Sequence, residues 1–259
     1  KRGVNNTYHY TVNVDEIKKV SKAKGVTITE YLTALYIYSL YLSMYDKKSK
    51  KEIALTIPID IRKHFNVDTL SNFFVCMKIN PRIYEKNLSS FEEILDSVKE
   101  EFKTNFTESK IKAYLANEVR LGQHIGYRYV PAFIKKFFMG TFGSLFGGST
   151  TSTLSNLGVI SLNESYLKDI DNIYAIVMPG RIQKIKCTVC SYENNLTITI
   201  ITFVPQKITD PTCNIYTRET ITTIIIIYKF ANMFIIKHFL SKLIQPFTSC
   251  IPTSRDNHC

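Results

Sequence analysis

Tryptophan is absent from the 259 residues, and only 10 are glycine. The last stretch, residues 208–259, has no glycine at all. Ile, Lys, Asn, Tyr and Phe are abundant in its place, the usage of an AT-rich gene. An acidic excess is also absent: 33 Lys and Arg stand against 22 Asp and Glu, a net charge of +11. That balance suits anionic partners such as a phosphorylated cofactor, an acidic lipid or a nucleic acid, and it names none of them. With 45% hydrophobic and 21% charged residues, wholesale disorder is excluded. The chain begins Lys1-Arg2-Gly3, with neither Met nor a charged-then-apolar leader. A start inside a longer protein, a cytoplasmic setting and six reduced cysteines are therefore expected.

Most motifs of chemistry are missing too. There is no HExxH, no GxxxxGK[ST], no GxGxxG and no paired-carboxylate motif. The five histidines, His9, His64, His124, His238 and His258, stand at no known spacing from a Ser or Cys nucleophile. Cys187-Thr188-Val189-Cys190 is a CxxC without a second pair. It falls on an expected strand, where positions three apart face opposite ways, so no metal is expected. The glycines between Gly140 and Gly148 fit a loop rather than a phosphate cradle. Basic residues are scattered among acids, which argues against nucleic acid. Ile221–Ile244 is very apolar, but Lys229, Lys237, His238 and Lys242 interrupt it. Each such charge at a bilayer centre costs about 2.5–3.5 kcal/mol, so no membrane span is expected there.

What is present reads as alternating strands and helices. Residues 8–14 and 53–59 have strand character, as do 72–79, 151–156, 173–178, 185–192 and 196–204. Asp15 is the expected cap of a short helix ended by Gly25. Thr27-Ile28-Thr29-Glu30 and Ser90-Phe91-Glu92-Glu93 each fit a capping box, opening helices to about Tyr45 and Lys103. The first is apolar almost all round, which places it inside a sizeable body. Further helices are expected over 109–123 and 131–138, and a hairpin turn at Glu193-Asn194-Asn195.

Three segments carry more. They are Ile57-Pro58-Ile59-Asp60-Ile61-Arg62, Thr69-Leu70-Ser71-Asn72-Phe73-Phe74, and Thr151-Ser152-Thr153-Leu154-Ser155-Asn156-Leu157-Gly158. In that order, behind the Gly25-Val26-Thr27-Ile28 helix start, they resemble the alcohol acetyltransferase branch of the CoA-dependent acyltransferases. That superfamily also holds the condensation domains of nonribosomal peptide synthesis. The resemblance runs from about residue 8 to residue 200 and covers only the C-terminal lobe of a two-lobed fold. It implies an α/β fold, an α+β sandwich of the chloramphenicol-acetyltransferase-like kind.

The resemblance also implies a function and its parts. The parent would move an acetyl or longer acyl group from CoA to a small alcohol or amine, with acyl-CoA as co-substrate and no bound cofactor. The family's HHxxxDG motif, whose second His is the general base, is absent here and is expected upstream of Lys1, on the missing N-terminal lobe. The chain alone is then inactive. Arg62 matches the family arginine that pairs with the motif's Asp across the lobes, against the plainer reading of a surface arginine ending a strand. Ser155 and Asn156 match a segment beside the acyl-transfer channel. They either donate to an oxyanion or acceptor, or merely hydrogen-bond backbone at a strand end; Ser152 and Thr153 are candidates of the same kind. Asn72 is expected to brace a turn near the lobe interface. Two domains follow: residues 1–207 as the lobe, and 208–259 as a divergent tail, produced by a frameshift between about Ile200 and Lys207 or a true divergent end. The competing reading is a non-catalytic protein that binds anions or a membrane surface through its basic face and apolar C-terminal segment.

Overall fold

A computed structural model describes residues 3–43, 52–69, 73–123, 131, 134, 150–163, 169–180 and 183–205. Asn72, the expected helix over 131–138, the glycine loop and the tail from 208 lie outside the described residues, 131 and 134 apart. The described elements are β1 (Gly3–Asn13), α1 (Val14–Ala23), α2 (Ile28–Ser43), β2 (Leu55–Asp60), α3 (Arg62–Phe65) and β3 (Phe74–Ile79). They continue with α4 (Phe91–Asn105), α5 (Glu108–Gln123), β4 (Ser152–Val159), β5 (Ile185–Tyr192) and β6 (Asn195–Pro205).

The six strands form one mixed sheet in the order β1-β6-β5-β4-β2-β3. The β4 strand runs parallel to both β2 and β5; the remaining neighbours are antiparallel. A two-residue turn at Glu193-Asn194 joins β5 to β6, and Glu193 takes the left-handed conformation at φ 51 that such turns require.

One face of the sheet is fully covered. Leu55, Ile57, Ile79, Leu154, Cys187, Val189, Ile198 and Ile200 lie in one buried cluster with α1, α2 and α4. Nine residues of α2 are buried, among them Tyr31, Leu35, Tyr36 and Leu40, because the helix lies between the sheet and α4. On the α4 side, Tyr31 and Tyr38 meet Phe91 edge-on at 5.7 and 5.9 Å. On the sheet side, Tyr36 Oη lies 2.8 Å from Ser152 Oγ, which itself donates to Ile185 O at 2.6 Å. The phenol is therefore the donor in the first bond, and this single polar pair ties α2 to two strands in the core.

Both capping boxes form. Thr27 N donates to Glu30 Oε2 at 2.6 Å, and Glu30 N to Thr27 Oγ1 at 3.2 Å. Ser90 and Glu93 repeat the arrangement at α4, and the amides of Ser89 and Ser90 hold the Glu93 carboxyl below its usual range. Asp15 is not the cap of α1: Asn13 accepts from the amides of Asp15 and Glu16, leaving Asp15 in the first turn.

The other face is only partly covered. Residues 171–178 form no regular element and join no ladder, which corrects the strand expected over 173–178. They cross β5 and β6 instead, and side chains take their carbonyls. Thr188 Oγ1 donates to Ala175 O, Cys190 Sγ lies 3.3 Å from Ile173 O, and the Tyr174 ring meets His9 at 4.3 Å.

Two measurements check this core. Tyr36→Phe removes the donor to Ser152 without removing volume and should cost about 1 kcal/mol in urea unfolding, with the denaturant slope unchanged. Burial pushes the Cys187 thiol up, and burial with the neighbouring Cys187 pushes the Tyr36 phenol up. In the unfolded chain such groups ionise near about pH 8.5 and pH 10, where the folded chain still holds its protons. The folded state then binds more protons, so stability is full below about pH 8.5 and should fall through pH 10.5. Cys187→Ala should make that fall shallower.

Candidate functional site

The site is built where the parallel strands end. Since β2 and β4 run in the same direction, Arg62 after β2 and Asn156 in β4 lie toward the same end of the sheet. Their ladder covers only Leu55↔Ser152 and Thr56↔Thr153. It stops two residues before Pro58, which has no N–H to give a neighbour. Beyond it the carboxyl ends of β2 and β4 are unpaired with each other, and open sheets of parallel strands place ligands outside such ends.

Arg62 holds one side of this gap. Its backbone N donates to Asp60 Oδ1 at 3.0 Å, a turn closed by the aspartate side chain. Its guanidinium Nη1 is 3.7 Å from Asp60 Oδ2, too long for a hydrogen bond, and Nε is buried without a partner. The fork thus has donors to spare for a carboxylate.

The β4 residues divide by face. Ser152 is buried on the helix side and its hydroxyl is committed to Ile185 and Tyr36. Thr153, on the other side, donates to Gln183 Oε1 at 2.7 Å, and Gln183 Nε2 donates to Thr150 Oγ1 at 2.7 Å. Ser155 shares the face of Thr153 and is half-buried, and its hydroxyl has no partner among the described residues. Asn156 Nδ2 donates to Thr29 Oγ1 at 2.9 Å, and its Oδ1 accepts from Gly158 N at 3.0 Å. One Nδ2 hydrogen remains. The register shifts between Asn156 and Val159, and Gly158 sits at φ +71, a conformation that costs a side-chain residue strain. Asn156 therefore clamps a bulge to the first turn of α2.

That first turn opens on a groove of about 550 Å³, lined by Lys22, Gly25, Val26, Thr27, Glu30, Lys99 and Lys103. Gly25 at φ +65 ends α1, and a Cβ there would lie 3.6 Å from Lys99 Nζ. Lys24 is engaged with Glu92 at 2.9 Å. Lys22, Lys99 and Lys103 are exposed and meet no carboxylate at ion-pair distance among the described residues. The groove was not legible in the sequence, because α4 brings Lys99 and Lys103 to the end of α1 through tertiary packing. Gln183 likewise carries no local signal.

Other candidates stay apart. Cys187 lies in the core under α2, while Cys190 points to the segment crossing the opposite face. Among the described residues no group of three or more His, Cys, Asp or Glu is placed to hold a metal. No described helix is long and apolar enough to cross a membrane.

No family model matches the chain, and no curated protein matches it in sequence. Solved structures do. A wax ester synthase/diacylglycerol acyltransferase from Marinobacter aquaeolei VT8 is 11% identical with a TM-score of 0.50, over 88% of this chain and 49% of that one. The epimerization domain from the third module of tyrocidine synthetase B is 9% identical with a TM-score of 0.52, over 90% and 49%. A condensation domain of chain release from the enacyloxin polyketide synthase is 9% identical with a TM-score of 0.51, over 100% and 44%. The chain spans about half the length of these three solved proteins. Its fold, a mixed sheet layered with helices, is that of these acyltransferase, epimerization and condensation domains.

Proposed function

We propose that the chain is the C-terminal lobe of an acyltransferase that moves an acyl group from CoA to a small alcohol or amine. One observation carries this reading: at one end of the sheet, an open gap between β2 and β4 adjoins an unpaired basic groove through the Asn156–Thr29 bond.

The groove offers Lys22, Lys99 and Lys103 to the phosphates of CoA, reinforced by the positive end of α2. The thioester arm then runs past Thr29 toward Asn156 and Ser155. There the free Asn156 N–H donates to the oxygen of the tetrahedral intermediate, while the Ser155 hydroxyl, on the opposite face of β4, orients the acceptor. Arg62 holds a carboxylate from an N-terminal lobe, whose histidine takes the proton of the attacking hydroxyl or amine. That lobe would cover the exposed apolar residues on this side. Leu157 is 57%, Val159 73%, Ile176 55% and Met178 59% exposed.

Two measurements test the proposal. By calorimetry, the chain should bind CoA more tightly than pantetheine. Lys22→Glu with Lys99→Glu should weaken CoA by about tenfold and leave pantetheine unchanged. Equal affinity for both ligands would remove CoA from the groove. Alone, the chain should release no thiol from acetyl-CoA above background with varied alcohols. Turnover that survives Arg62→Ala and Asn156→Ala would overturn the division of labour between lobes. Binding without turnover even when an N-terminal lobe is supplied would favour a non-catalytic anion-binding protein.

A further inference from the structure

Alternate residues of β4 meet α2, and they do not all pack alike. Ser152 is joined to Tyr36 at 2.8 Å, and Asn156 to Thr29 at 2.9 Å. Leu154 stands between Ser152 and Asn156 on the same face of the strand. Thr29, Leu32 and Tyr36 likewise share one side of the helix, at spacings of three and four residues. Between the two polar bonds the packing leaves a cavity of about 10 Å³. Leu32, Leu35, Leu154, Cys187, Val189 and Ile198 line it, with Tyr36 at the Ser152 end.

The walls decide what the cavity can hold. None of these residues is more than 4% exposed. The Tyr36 hydroxyl is committed to Ser152, so the walls do not offer a water the two or more polar partners it needs. An apolar void of this kind stays dry and takes small apolar groups. Cores are otherwise close-packed, and side chains facing a void lose contacts on that side. A hole kept at this place weakens the fold until something apolar fills it.

Its position narrows the ligand. Asn156 and Thr29 are half-buried and form the layer between the cavity and the open end of β4. A carbonyl held at the free Asn156 N–H stands one step of the strand from Leu154, about 6.6 Å for two residues. An acetyl group falls short of that distance, and a butanoyl or hexanoyl chain spans it. A longer chain runs into the Tyr36 ring. We propose, resting on the acyl transfer proposed above, that this cavity seats the end of a short straight acyl chain and sets its length. Leu32 and Leu154 flank the chain from the helix and the strand, and Tyr36 is the stop.

Calorimetry of the full chain with CoA and its acetyl, butanoyl, hexanoyl and decanoyl thioesters tests this, with circular dichroism confirming folded protein. Hexanoyl-CoA should bind about tenfold tighter than CoA, the gain from burying roughly two methylenes. Acetyl-CoA should bind like CoA, and decanoyl-CoA no tighter than hexanoyl-CoA. Leu32→Ala enlarges the cavity and should carry the gain on to decanoyl-CoA. Val189→Leu fills it and should abolish the gain from butanoyl and hexanoyl chains. A loss of stability alone would move all the ligands together, so a change in preferred length reports the seat itself, and either variant decides should the other not fold. CoA bound without regard to the chain, or a gain that rises evenly through decanoyl-CoA in every variant, overturns the cavity as the acyl seat and leaves CoA in the groove. Failure of every ligand to bind overturns both.

Discussion

Helix α2 is packed between the sheet and α4, with nine of its 16 residues buried, and that packing fixes where its amino end points. Its apolar surface is shared between the sheet and α4, so neither contact can shift without opening the other. Within that packing the Tyr36–Ser152 bond sets the height of the helix against β4, since an unmade bond between buried hydroxyls is costly. Four residues of β4 later, Asn156 reaches Thr29 in the first turn of the same helix. The basic groove, the bulge at Gly158 and the end of β4 are thus held by one rigid element rather than by loops. Under the proposed function, that rigidity would serve to align a long thioester arm with an acceptor.

The rest of the geometry follows from breaks in regularity. Pro58 cannot pair with β4, so the two parallel strands part at the end where Arg62 and Asn156 lie. Gly25 and Gly158 take left-handed conformations at the two turns that border the groove and the gap. The segment 171–178 covers β5 and β6 with hydroxyl and thiol contacts and leaves the face of β2, β3 and β4 uncovered by any described element. Among the described residues, the sheet therefore has one face packed against helices and one that is partly open.

Much of this was legible because it is local. The boxes at Thr27–Glu30 and Ser90–Glu93 and the turn at Glu193 depend on residues within a few positions of one another, and the structure shows them as read. Asp15 was misread because Asn13, two residues earlier, offers the same cap chemistry and sits where the strand ends. The stretch 173–178 alternates like a strand, yet its neighbours above and below are side chains, which periodicity does not reveal. The order of Arg62, Ser155 and Asn156 came from resemblance rather than periodicity. Their shared end of the sheet depends on the parallel pairing of β2 with β4, a contact across nearly a hundred residues. The lysines of the groove come from two helices far apart in sequence, so no window of the chain contains the site.

The most direct test of this account is a crystal structure of the chain with CoA bound. The account places the phosphates among Lys22, Lys99 and Lys103, and the thiol end beside Asn156 and Ser155 at the parted ends of β2 and β4. CoA seated elsewhere on the sheet, or phosphates in the groove with the thiol end directed away from β4, would contradict it.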